Sequence, residues 1–123
     1  MITSIQVTGI TYDVDKKTHD YVIKRIGKLD RYLPRHARKS VSAEVKLAQV
    51  DHDYGNKYEV EVNLRVPNKL ISAKDSTSNI MAAIDIVERK LQTQLRDYKE
   101  STIAHIGRRG ILSRFKRSFR HKL

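Results

Sequence analysis

The residues able to do acid–base or metal chemistry are five histidines and fourteen carboxylates, and their spacing assembles no reaction centre. His19, His36, His52, His105 and His121 include no pair set at helical metal-ligand spacing. Asp51-His52-Asp53 could hold a metal or move a proton. Followed by Tyr54-Gly55-Asn56, it reads instead as the polar turn of a hairpin. The chain has no cysteine, hence no thiolate ligand and no disulfide. It has no Gly-x-Ser-x-Gly elbow and no glycine-rich phosphate loop after a strand. Nucleophile, base and electrostatic stabiliser never come together, so neither an enzyme nor a bound cofactor or metal is expected.

The chemistry that does stand out is that of binding anions. With Val22 at the centre of an apolar stripe and 100° per residue, Lys17, Lys24, Lys28 and Arg31 fall within roughly 60° of one another on the far side. Arg25 flanks this strip, and Tyr21 and Tyr32 border it. Asp20 and Asp30 are turned to the opposite flank. A solvated helix usually mixes its signs, whereas this edge is cationic for about 16 Å from Lys17 to Lys28 alone, long enough to follow several phosphates. In a second helical segment Lys90 lies on one flank, Arg89 and Arg96 on another, and Lys99 near the end. They bear on binding only if one flank adjoins the first strip.

Formal net charge is +11, and it is unevenly placed. All fourteen acids precede residue 101, while Arg108, Arg109, Arg114, Lys116, Arg117, Arg120 and Lys122 follow it. A moderately basic body, residues 1–100, therefore carries a strongly basic tail, residues 101–123, of the kind that engages polyanions. Ile111, Leu112, Phe115 and Phe119 could form one face of a short amphipathic helix in that tail. Such a helix could lie on an anionic membrane or fold against RNA. An isolated helix this short is marginal in water, so the free tail is expected to be disordered. The chain contains no stretch approaching the ~18 apolar residues of a membrane span.

The elements that must carry these residues follow from periodicity. Ile5 and Val7 alternate with polar neighbours, predicting a strand over 2–8 that ends at Gly9. Asp15 is suited to cap a helix whose stripe is Val22, Ile26, Leu29 and Leu33, about five turns ended by Pro34. Val41 to Leu47 and Tyr58 to Val66 alternate strictly, with Glu44, Lys46, Glu59 and Glu61 on the opposite face. Pro67-Asn68 predicts a turn, and Leu70 to Lys74 a short fourth strand. Ser76, Thr77 and Ser78 offer caps for a second helix with stripe Ile80, Ile84, Val87, Leu91, Leu95 and Tyr98. The expected fold is α+β, a two-layer β-α-β-β-β-α domain. Its four-stranded, mostly antiparallel sheet would carry both helices on one face.

Three stretches resemble the ribosome hibernation-promoting factors, also called ribosome-associated inhibitors. They are Val7-Thr8-Gly9, then Lys28-Leu29-Asp30-Arg31-Tyr32, then Ala82-Ala83-Ile84-Asp85 with Lys90-Leu91 and Gln94-Leu95. The likeness covers roughly residues 2–100 in the right order and rests on spacing more than on any one motif. It implies a domain bound in the channel between head and body of the small ribosomal subunit, where it blocks messenger and transfer RNA. Basic residues of both helices bind ribosomal RNA in the family, and Arg25, Lys28, Arg31 and Lys90 stand at matching positions. Departures fall in the second helix: Thr93 and Asp97 replace bases common in relatives, and Asn79 stands where an Asp often precedes the helix. Arg96 could substitute for one of them, although it projects about 100° away. Long members add a C-terminal dimerisation domain, which this chain is too short to include unless it is a fragment.

The expected partners are therefore the ribosome and the ribosomal RNA of its small subunit, in the cytoplasm, with no membrane and no small-molecule substrate. The RNA-binding candidates are Lys17, Lys24, Arg25, Lys28, Arg31, Arg89, Lys90 and Arg96, with Arg108, Arg109, Arg114, Lys116 and Arg117 of the tail. Two other readings stay open: a membrane-surface or adaptor module acting through the tail, and a free double-stranded-RNA binder.

Overall fold

A computed structural model describes residues 1–50 and 57–118, with side chains through Thr102. Asp15 caps the first helix as expected, its carboxylate accepting from the Thr18 amide at 2.9 Å. That hydrogen bond holds the Asp15 carboxyl below its ordinary value. The helix, α1, spans Lys16–Gly27. It then tightens into a 3-10 turn over Lys28–Tyr32 rather than remaining α-helical to Pro34. The chain start is the reason. The Ile2 amide donates to the Gly27 carbonyl at 2.9 Å, and the terminal ammonium pairs with Asp30 at 3.0 Å. A second short 3-10 turn covers Arg35–Ala37.

The strands are β1 (Ser4–Ile10), β2 (Ser42–Gln49), β3 (Tyr58–Val66) and β4 (Lys69–Thr77), in the spatial order β1-β2-β3-β4. β1 runs parallel to β2, with Ser4 opposite Ser42. β2, β3 and β4 form an antiparallel meander. One face buries Ala43, Val45 and Leu47, then Val60, Val62 and Leu64, then Ile71 and Ala73. The other face carries Glu44, Lys46, Glu61 and Lys74, with Lys46, Glu61 and Lys74 directly opposed across three strands. β1 starts at Ser4 and runs through Gly9 to Ile10, where the alternation predicts a strand over 2–8 ended by Gly9, and the glycine is required within it for a steric reason. A Cβ there would stand 2.0 Å from the Tyr12 carbonyl oxygen, a backbone atom that cannot swing away.

β4 is longer than its apolar alternation implies, since Ser76 and Thr77 extend the ladder instead of capping the next helix. The cap is Asn79, whose Oδ1 accepts from Met81 at 2.8 Å and Ala82 at 3.3 Å. Helix α2 then runs from Ile80 to Ser118, 39 residues, well beyond the predicted end near Tyr98. Through the basic segment its backbone is helical as far as Ser118. The docked turns before it already carry the cost of nucleation, so each further residue only propagates the helix.

Both stripes bury on the apolar sheet face. Val22, Ile26, Leu29 and Leu33 come from the first segment, and Ile84, Val87, Leu91, Leu95 and Tyr98 from the second. α2 covers β3 and β4, and α1 lies beside it toward β1. Leu91 and Leu95 are fully buried. Leu91→Ala is expected to lower unfolding free energy by about 2–5 kcal/mol, since a methyl-lined cavity cannot collapse between helix and sheet. A urea titration giving a drop under about 1 kcal/mol would show that α2 is not a pillar of the core.

Candidate nucleic-acid interface

The cationic strip of the first helical segment survives the change of helix type. Lys17, Lys24, Lys28 and Arg31 are all exposed. In a 3-10 turn side chains three apart eclipse, so Lys28 and Arg31 fall on one line more closely than α-helical geometry would put them. Among the described residues none of these four has a carboxylate within ion-pair distance. Their charge is therefore available to a partner.

Arg25 behaves differently. It turns into the seam between the helices, where its Nε donates to the Tyr21 hydroxyl at 3.2 Å and lies 3.5 Å from Asp85. Its Nη1 reaches Glu88 at 3.5 Å, and its guanidinium carbon sits 5.3 Å from the Tyr21 ring centre. Tyr21 in turn donates to Asp85 at 2.6 Å. This network ties α1 to α2 and raises the Arg25 guanidinium's proton affinity, chiefly through the Tyr21 hydrogen bond. The Asp85 hydrogen bond likewise raises Tyr21. Arg25 is thus first a strut and only secondarily a free cation.

The second helix splits its candidates. Arg96 crosses to the first segment: its guanidinium carbon lies 5.5 Å from the Tyr32 ring centre, and that of Arg31 lies 5.7 Å from the same ring. Two cations from different elements are thereby held at one aromatic ring. Arg89 is exposed and, seven residues before Arg96, shares its edge of the helix. Lys90 is on the other flank, 3.7 Å from Asp75 and donating to the Lys74 carbonyl at 3.1 Å. It therefore stands apart from the strip, against β4. Arg108, Arg109, Arg114, Lys116 and Arg117 lie on the helical backbone of α2, and their side chains are outside the described residues, as is the Asp51-His52-Asp53 turn.

Two features escape a reading of periodicity. One is Glu88, a carboxylate only 7 % exposed in the seam between the helices, facing Arg25. Its place on the inner flank of the stripe could have flagged it, but nothing in the sequence named Arg25 as its partner. The other is the exposed run Arg35, His36, Arg38 and Lys39, legible as charge but lying outside both helical patterns. Among the described residues no cluster of histidine and carboxylate side chains could hold a metal, and no helix is long and apolar enough to cross a membrane.

Burial pushes the Glu88 carboxyl up, and Arg25, Lys28 and Arg31 only partly oppose it. The folded state thus holds this proton more tightly than the unfolded chain does. Stability contributed at Glu88 must fall as pH rises from the ordinary carboxylate range, about 4.3, through the raised folded value. Glu88→Gln should flatten that part of a profile of urea midpoint against pH. An unchanged profile would place the titration elsewhere.

Residues 5–102 match the family described as Sigma 54 modulation protein / S30EA ribosomal protein. The ribosome hibernation promotion factor of Lactococcus lactis is 33% identical over 93 residues, covering 76% of this chain and 48% of the relative. That of Deinococcus radiodurans is 31% identical over 94 residues, with the same coverage. The chain thus spans about half the length of these curated relatives. The crystal structure of the Thermus thermophilus Protein Y N-terminal domain aligns with a TM-score of 0.67 at 26% identity, covering 78% of this chain and 99% of that one. A ribosomal subunit interface protein from Coxiella burnetii aligns at 0.63 and 26%, covering 79% and 98%. The α+β architecture is shared with these neighbours. With a match running from β1 into α2, the chain belongs to the Sigma 54 modulation protein / S30EA ribosomal protein family.

Proposed function

We propose that this protein is a ribosome hibernation factor: it binds the small ribosomal subunit in the cytoplasm and silences idle ribosomes by occupying the path of messenger and transfer RNA. The observation that carries this reading is the acid-free strip of Lys17, Lys24, Lys28 and Arg31, which Arg96 joins from α2 at Tyr32. Family membership supplies the ribosome as the surface to which such a strip is addressed. The mechanism is occlusion. The cations displace condensed counterions from the RNA phosphates, and the rigid two-helix layer fills a space that another RNA would need. No bond is made or broken, so the protein acts in proportion to its occupancy.

Within this reading Lys24, Lys28 and Arg31 bind phosphates directly, Arg89 and Arg96 widen the face, and Arg25 holds the helices in register while offering its outer edge. Lys90, drawn toward Asp75, contributes only if RNA reaches the β4 side. The tail bases Arg108, Arg109, Arg114, Lys116 and Arg117 add charge along the continuation of α2.

Co-sedimentation with separated ribosomal subunits over a salt series tests the proposal. Wild-type protein is expected to travel with the small subunit and to be displaced by bound transfer RNA. Lys24→Ala/Lys28→Ala/Arg31→Ala should abolish binding at physiological salt. Binding unaffected by transfer RNA would defeat the occlusion mechanism. Removal of residues 105–123 is expected to weaken binding and flatten its salt dependence, by about 0.7–0.9 in log–log slope for each phosphate no longer neutralised. An unchanged slope would show the tail to be a bystander. Flotation with anionic liposomes in place of ribosome binding would favour a membrane role for it.

A further inference from the structure

The loop that follows the first helical segment concentrates positive charge for which the helical strip gives no reason. Arg35, His36, Arg38 and Lys39 are all exposed on a turn pinned by buried Ala37. The turn is closed by hydrogen bonds from the Ala37 amide to the Pro34 carbonyl at 2.9 Å and from the Ser40 amide to the Ala37 carbonyl at 3.1 Å. Arg38 commits its Nε to the Leu33 carbonyl at 3.2 Å. The β3–β4 turn meets this loop at the same end of the domain. Asn68 takes a left-handed conformation there, with φ of 65°, and Lys69 follows it, exposed. Tyr98 closes the floor by donating to the Pro67 carbonyl at 3.0 Å.

Between these elements lies a depression of about 340 Å³ lined by His36, Asn68, Lys69, Tyr98, Ser101 and Thr102 along with Pro67. That is the small end of the range for ligand sites, about 300–1,000 Å³. It has room for a phosphate with its sugar and none for a folded partner. Its rim carries the donors a phosphate oxygen needs: an ammonium, an imidazole, a side-chain amide and two hydroxyls. Among the described residues Arg35, His36, Lys39 and Lys69 have no ion-pair partner. The nearby acids of α2, Asp97 and Glu100, are exposed and pair with none of them.

We propose that this depression is a second phosphate site, taking a backbone phosphodiester of RNA through Lys69, His36 and the α2 hydroxyls, with Arg35 and Lys39 flanking it. The proposal rests on the RNA-binding reading and extends it. The RNA face does not stop at Arg31 but turns the corner of the domain, from the helical layer onto the end of the sheet. A strand or helix of RNA lying on α1 would then be gripped at a second place beyond the strip, which constrains its orientation as well as its position.

The test is binding of purified small subunits across a salt series by wild type, by Arg35→Gln/Lys39→Gln/Lys69→Gln and by the single variant Lys69→Glu. Thermal unfolding of each variant checks that these surface changes leave the fold intact. The triple variant is expected to bind at least about tenfold more weakly at about 0.15 M salt, with its slope reduced by about 0.7–0.9 for each phosphate it no longer neutralises. Lys69→Glu alone should weaken binding measurably. Wild-type affinity and slope in both folded variants, with Lys24→Ala/Lys28→Ala/Arg31→Ala still defective, would overturn the second site and leave the helical strip as the interface. Failure of wild-type protein to bind ribosomes at all would overturn the reading beneath it as well.

Discussion

The four-stranded sheet offers one apolar face, and two helices have to bury their stripes on it together. That constraint sets almost everything else. With α2 seated over β3 and β4, the remaining apolar surface lies toward β1, and α1 must take it. The two helices are then neighbours, and their facing flanks can no longer be chosen independently. Tyr21, Arg25, Asp85 and Glu88 meet in the seam, and Arg31, Tyr32 and Arg96 meet farther along it. The outer edge of α1 is left to solvent, and it is there that the strip of Lys17, Lys24 and Lys28 stands.

The seam is electrostatically expensive, and its composition shows what is gained. A carboxylate as enclosed as Glu88 would be better replaced by an apolar side chain if stability were the sole concern. Paired with Arg25 and within electrostatic reach of Lys28 and Arg31, however, it offsets part of the mutual repulsion of several like charges gathered near a low-dielectric core. Arg25 and Tyr21 supply directional bonds that a hydrophobic contact lacks, so the helices are held at one separation and one rotation. A binding surface shared between two elements keeps its shape only if their relationship is fixed.

Much of this was legible in the sequence, because strict periodicity dictates which residues face inward. The stripes Val22–Ile26–Leu29–Leu33 and Ile84–Val87–Leu91–Leu95–Tyr98, and the alternation from Val41 to Val66, each correspond to buried positions. What was not legible depends on contacts between distant segments. The tightening at Lys28 comes from the chain start packing on Gly27, 25 residues from Ile2 in sequence and invisible to a helical wheel. Arg96 looks misdirected until α1 is seen beside it, and Lys90 looks correctly placed until Asp75 draws it to β4. Ser76 and Thr77 resemble caps because their hydroxyls suit that role, but the ladder with β3 claims them first.

The parallel pairing of β1 with β2 also separates the order of synthesis from the order of assembly. β2, β3 and β4 pair with immediate neighbours in the chain, so each ladder closes a short loop as soon as its second strand exists. β1 is made first, yet its ladder is with β2, Ser4 set against Ser42 and all of α1 between them. Its loop-closure entropy is the largest in the sheet, and pairings of that kind form late. The N-terminal strand and the helix bearing the cationic strip therefore wait on segments made after them. A nascent chain exposes the helix of the cationic strip, unanchored, within reach of the ribosome that is making it.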